Sequence, residues 1–238
     1  MNAGTTSNYS SRFFKADQRG QVNREGYKSF STFNYGDYNA ESRQPFGAVE
    51  FVNDVSMGPG NAVYFNRNES IQDVILPITG SLTYRNFLGK KETIHPEHIA
   101  FLDPGTDHAC EIQNNYEDNW IGYLHIGLKR SNAIPQKEAL IHPINFTSTN
   151  MLATLSTDTL LSQSFGYAGV YKGRAKSSYE LKQAGNGLFV YVIHGAFEVE
   201  DRLMEMRDGL ALWDKPAAEF EALSDNALLL LFEVPITQ

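Results

Sequence analysis

Asp73-Val-Ile-Leu-Pro-Ile-Thr-Gly80-Ser-Leu82 and Leu188-Phe-Val-Tyr-Val-Ile-His-Gly195-Ala-Phe197 decide the fold, because the second stretch repeats the pattern of the first. Each is an apolar run, then a glycine, then the start of another run. Glycine at that point gives the backbone the positive φ of a tight hairpin turn. The likeness continues downstream. Pro96-Glu-His-Ile-Ala-Phe-Leu-Asp-Pro104 resembles Arg207-Asp-Gly-Leu-Ala-Leu-Trp-Asp-Lys-Pro216, and the halves close on apolar segments at 120–128 and 227–234. A repeat of about 110 residues is a duplicated domain, not a solenoid period. Strand, glycine turn, second strand and a Gly- or Pro-marked return describe a jelly-roll barrel, so the pattern predicts two such barrels packed together.

The rest of the chain fits an all-β protein with little helix. Short alternating runs predict strands over residues 47–53, 73–79, 81–86, 98–102, 109–113 and 121–128. One helix-period segment, 150–163, carries Leu152, Leu155 and Leu160 among Thr and Ser. Many short strands and few helices argue against a parallel α/β sheet. The expected organisation is a flexible tail over 1–14, an N-terminal barrel over 15–130 and a C-terminal barrel over 131–238. The join falls in the charged, proline-ended stretch 129–135.

The chain has 238 residues, 42% of them hydrophobic and 12% aromatic, a globular rather than disordered profile. A chain this long needs no disulfide or metal staple for its core. Cys110 is the single cysteine, which points to a reducing compartment. The first twelve residues lack the apolar run of a secretory signal, and no stretch approaches a membrane-spanning length. The expectation is a cytoplasmic protein without a membrane partner. Net charge −8 disfavours direct nucleic-acid binding, which draws its affinity from neutralised phosphates. The densest basic cluster, Lys172, Arg174 and Lys176, is read as a solvated loop.

Between the glycines lies the chemistry. From Gly60 the chain runs Gly60-Asn-Ala-Val-Tyr-Phe-Asn66-Arg-Asn68-Glu-Ser-Ile-Gln72, followed by Gly80. This resembles the first motif of metal-binding cupins, with amides where that motif has His, His and Glu. Imidazole and carboxylate suit first-row transition metals, whereas a neutral amide oxygen is a weak donor. After Gly173 the C-terminal unit reads Arg-Ala-Lys-Ser-Ser-Tyr-Glu-Leu-Lys, without the outline of a ligand motif. The site is therefore expected in the N-terminal barrel.

Further stretches are similar to the pirin family of bicupins: Ala16-Asp-Gln-Arg-Gly20, Ser31-Thr-Phe-Asn-Tyr-Gly-Asp-Tyr38, and Phe46-Gly-Ala-Val-Glu-Phe-Val-Asn-Asp54 followed by Gly58-Pro-Gly60. The resemblance spans roughly residues 15–235. It implies two stacked cupin barrels with one metal, often iron, in the N-terminal barrel. Some members are quercetin 2,3-dioxygenases and others are partners of transcription factors. The family's last ligands resemble Gly105-Thr-Asp-His108-Ala-Cys110-Glu111, where Glu111 aligns with a ligand and His108 is one residue displaced.

Asn66, Asn68, Gln72, His108 and Glu111 are accordingly the candidate ligand-binding residues, with Val63, Phe65 and Tyr84 as apolar walls. Amides both donate and accept, so they suit a neutral small molecule. No metal cofactor is expected, and His108 and Glu111 are its weak candidates. The odd spacing of those two places them on opposite faces of a continuous strand. Cys110 is a candidate redox residue, and the other histidines are read as structural. The expected function is non-catalytic: binding of a small molecule or protein partner with a regulatory output. The alternative is a quercetin 2,3-dioxygenase-like enzyme with an altered ligand set.

Overall fold

The structure, a computed structural model, describes residues 10–65, 70–86, 88–102, 110–130, 139–146, 148–155 and 163–236. The first half holds β1 (Ser10–Phe14), β2 (Gly20–Arg24), β3 (Tyr27–Ser31), β4 (Val49–Met57), β5 (Ala62–Phe65) and β6 (Ile71–Thr79). It continues with β7 (Leu82–Arg85), β8 (Lys91–Ile94), β9 (His98–Leu102), β10 (Cys110–Gln113), β11 (Ile121–Lys129) and β12 (Leu140–Pro143). The second half holds β13 (Ala153–Thr154), β14 (Phe165–Tyr171), β15 (Lys176–Glu180), β16 (Asn186–His194) and β17 (Phe197–Val199). It ends with β18 (Arg202–Met204), β19 (Gly209–Trp213), β20 (Ala217–Ala222) and β21 (Ala227–Pro235). The only helical elements among the described residues are two three-residue 3₁₀ turns, at Ala16–Gln18 and Glu41–Arg43. Among the described residues no helix is long and apolar enough to cross a membrane.

Each half is a pair of antiparallel sheets. A seven-stranded sheet, β12-β9-β6-β11-β4-β3-β2, faces the four-stranded sheet β5-β10-β7-β8. A six-stranded sheet, β1-β19-β16-β21-β14-β13, faces β15-β20-β17-β18. Strand alternation sorts the apolar side chains into three layers. In β6, Ile75 enters the N-terminal barrel core with Val55, Tyr84 and Ile112, whereas Val74 and Leu76 face the other way. In β21, Leu229 and Leu231 fill the C-terminal barrel, whereas Leu230 and Phe232 face out of it. The outward sets meet in one core between the two large sheets. Phe14, Phe33 and Phe189 cluster there, with ring centres 4.8 Å and 5.2 Å apart.

The predicted glycine turns are present. Gly80 has φ 73° and Gly195 φ 76°. A Cβ would lie 2.8 Å from Ile121 Cγ2 at the first and 2.3 Å from Ser224 Oγ at the second. Backbone conformation and space both require glycine.

Three sequence expectations change. Residues 10–14 are not a flexible tail: they form β1, which pairs with β19 of the C-terminal unit from Ser10↔Trp213 to Phe14↔Gly209. Residues 140–143 form β12, which pairs with β9, so the N-terminal unit's sheet extends past residue 130. The segment 150–155 is not helical. Asn150 has φ 65°, and Ala153–Thr154 pairs with β14, which lets Leu155 enter the inter-sheet core. Residues 156–162 of that expected helix lie outside the described residues.

A polar pin joins the units. Asp54 Oδ2 of β4 accepts from Arg19 Nη1 at 3.2 Å and from Arg207 Nε, on the β18–β19 turn, at 2.8 Å. The expected basic loop is anchored on its own barrel: Arg174 and Lys176 pair with Glu221 at 3.3 Å and 3.4 Å.

Candidate functional site in the N-terminal barrel

Alternation fixes which polar side chains enter the N-terminal barrel. In β4, Asn53 lies between Phe51 and Val55 on the inward face. In β11, His125 follows Tyr123 inward, and in β6 Asp73 precedes the inward Ile75. His125 Nε2 meets Asp73 Oδ1 at 2.7 Å. A carboxylate only accepts, so a neutral His125 carries its proton on Nε2. The Phe51 ring packs edge-on to His125 at 4.8 Å, and Tyr35 leans on Phe51 at the same separation. Gly127 makes room for this stack, since a Cβ there would fall 2.2 Å from the Phe51 ring.

Asn53 is 1% exposed, and neither its amide nitrogen nor its oxygen has a hydrogen-bond partner among the described residues. It sits opposite His125 on one side and Ser31 on the other. The buried Tyr123 hydroxyl on the same face is also unpartnered. A buried polar group without a partner costs free energy, so the Asn53 amide calls for a partner of its own, a bound water or a ligand. Burial holds the Tyr123 phenol well above its ordinary range.

The predicted site residues divide. Asn66, Asn68 and His108 lie outside the described residues, as does the Phe65 side chain. Val63 and Tyr84 wall the barrel core as expected. Gln72 does not enter the barrel. It shares the face of Val74 and Leu76, where its amide donates to Leu102 O at 2.7 Å and Asp73 O at 3.1 Å and accepts from Arg130. Glu111 is also turned away. Cys110 and Ile112 of β10 point inward, and Glu111 between them accepts from Arg85 Nε at 2.5 Å on the outer face. The correct inward residues are each one position along, Asp73 for Gln72 and Cys110 for Glu111. His125, read as structural, belongs to the site. Its signal was an imidazole two residues from Tyr123 in an otherwise apolar strand, the spacing of a shared face.

Cys110 is not built as a reactive thiol. Burial, reinforced by the Asp73 charge, pushes it up to about 12. The thiolate is the nucleophile, so its fraction at pH 8 is on the order of 10⁻⁴. Iodoacetamide labelling at pH 8 is expected to run at least about 100-fold slower in the folded protein than in guanidinium. Asp73→Asn is expected to raise the folded-state rate; equal folded and unfolded rates would show that Cys110 is neither buried nor suppressed.

These donors do not assemble a site for a pirin-type metal. No three His, Cys, Asp or Glu among the described residues group closely enough to hold an ion. Gln72 and Glu111 face out of the barrel, and Asp73 and His125 are bonded to each other. The described residues do not fit the metal.

Two jelly-roll barrels in tandem, packed through their larger sheets, define a bicupin. Residues 160–234 match the family model described as the quercetinase C-terminal cupin domain. Quercetin 2,3-dioxygenase of Escherichia coli O157:H7 is 21% identical over 235 residues, 93% of this chain and 97% of the relative. A putative quercetin 2,3-dioxygenase of Pseudomonas aeruginosa is 23% identical over 225 residues, 90% and 96% of the two chains. The crystal structure of bacterial pirin YhhW from Escherichia coli in complex with nickel(II) superposes with a TM-score of 0.83 at 17% identity, covering 96% of this chain and all of that one. The chain thus resembles the pirin-like cupins, sharing their two-barrel fold over its length and matching their family model over residues 160–234.

Proposed function

We propose that this pirin-like bicupin binds a small organic molecule at the polar end of its N-terminal barrel, without the family's metal centre, and that occupancy serves a regulatory or interaction role. The unpartnered Asn53 amide carries the proposal. It offers donors and an acceptor beside the His125–Asp73 pair, and the Phe51 and Tyr35 rings supply apolar wall. That combination suits a flat, hydroxylated ligand.

Quercetin is the probe that the relatives' names suggest. Binding followed by calorimetry is expected to weaken at least about tenfold in Asn53→Leu and in Asp73→Asn, roughly 1.4 kcal/mol each. Unchanged affinity in both variants would remove the barrel from the proposal. The second reading, a metal-dependent dioxygenase, is favoured by the relatives named for that activity and by the nickel-bound pirin. Oxygen uptake with quercetin after loading with iron, nickel, copper or manganese separates the two. Binding without turnover supports the first, and metal-dependent turnover supports the second.

A further inference from the structure

On the surface of the N-terminal barrel, the turn His95-Pro96-Glu97-His98 between β8 and β9 sets two imidazoles side by side. His98 N–H closes the turn on His95 O at 3.1 Å. Proline in the second position and φ 62° at Glu97 in the third are the marks of a type II turn. Its third position favours glycine. A glutamate there stores backbone strain, and strain of this kind persists where surrounding structure or function holds it.

The two rings lie 5.8 Å apart between centres, at 64°. His98 Nδ1 donates to Pro96 O at 3.3 Å, and since a carbonyl only accepts, the neutral ring keeps its Nε2 lone pair open. His95 Nδ1 meets Ser81 Oγ at 3.1 Å, and in the tautomer that donates to Ser81 its Nε2 is open as well. An oxygen holding the remote N–H of each imidazole is the arrangement that orients histidine toward a metal. An ion about 2.05 Å from each Nε2 in tetrahedral geometry would put the ring centres roughly 5 Å apart. His95 is exposed and His98 half-buried, so small χ rotations close the difference. Among the described residues no carboxylate is paired with either ring.

We infer that His95 and His98 form a surface site for a divalent first-row transition ion, with water in the remaining positions. Imidazole donors favour copper(II) over nickel(II) and zinc(II). The site is separate from the barrel interior, so it would report bound metal in a protein whose barrel holds none.

Titration of the full chain with copper(II), nickel(II) and zinc(II) by calorimetry is the test. One equivalent is expected to bind, copper tightest, with affinity at least tenfold lower in His95→Ala and His98→Ala. Binding is expected to weaken on acidification, because protonated imidazole has no lone pair. An Asp73→Asn/Cys110→Ser double variant is expected to bind as the native chain does. Two results would overturn the inference: no uptake at about 100 μM metal, or uptake lost in the double variant but retained in both alanine variants. Circular dichroism checks that each variant is folded.

Discussion

Glu233→Ala is expected to be among the most destabilising single changes in this protein, by about 4–6 kcal/mol in denaturant unfolding, with Glu233→Gln costing about 2–4 kcal/mol. Glu233 is fully buried on the inward face of β21, among the side chains that fill the C-terminal barrel. All four partners donate to it. Tyr179 Oη and Lys182 N reach Oε2 at 2.6 Å and 2.8 Å, and Gln183 N and Asn186 Nδ2 reach Oε1 at 2.9 Å and 2.8 Å. Only an acceptor with two oxygens satisfies that set, and it ties the 181–186 turn to the barrel. Burial and the adjacent carboxylate hold Tyr179 far above the ordinary phenol range, so it remains a donor at neutral pH.

Alanine would strand four donors, two of them backbone amides with nowhere to turn. Glutamine would keep one oxygen but aim its own N–H₂ at Lys182 N–H or Gln183 N–H. Tyr179→Phe removes one donor and leaves three, so it is expected to cost least of the three changes. A glutamine variant within about 0.5 kcal/mol of the native chain would mean that the carboxylate is not the hub the geometry describes.

The barrels were legible because their signals are local. Apolar alternation and a glycine at the hairpin position are properties of ten consecutive residues, and the repeat states them twice. β1 was not legible, since Ser10–Phe14 has no strong period of its own and becomes a strand by completing the edge at β19. Gln72 and Glu111, the two candidate site residues that can be placed, face out of the barrel for the same reason. Spacing places Gln72 and Glu111 near the right end of the barrel, but which face a strand turns inward depends on its neighbours in the sheet. β6 is phased by its pairing with β9 and β11, and β10 by β5 and β7. That phase selects Asp73 and Cys110 and turns the expected ligands toward Arg130 and Arg85. His125 was overlooked because its partner is 52 residues away in sequence.

Asn53→Leu is expected to stabilise the protein while abolishing binding of the quercetin probe. Leucine has nearly the amide's shape and no polar atom. Replacing an unpartnered buried amide with it removes a desolvation cost of about 1–3 kcal/mol. For a chain of this size each kcal/mol moves Tm by about 2–4 °C, so a gain of several degrees is expected. Asn53→Asp should act in the opposite direction, since it would place a buried carboxylate on the face that already carries the partly buried Asp73. The sign of the leucine change discriminates between two origins of the unpaired group. A binding group kept in readiness for a ligand lowers the stability of the empty protein, and losing it raises Tm and destroys affinity together. A group that belongs to the fold through bound water would do the reverse, and Asn53→Leu would then lower Tm or leave it unchanged. Stabilisation with loss of binding would establish Asn53 as the residue around which the ligand site is built.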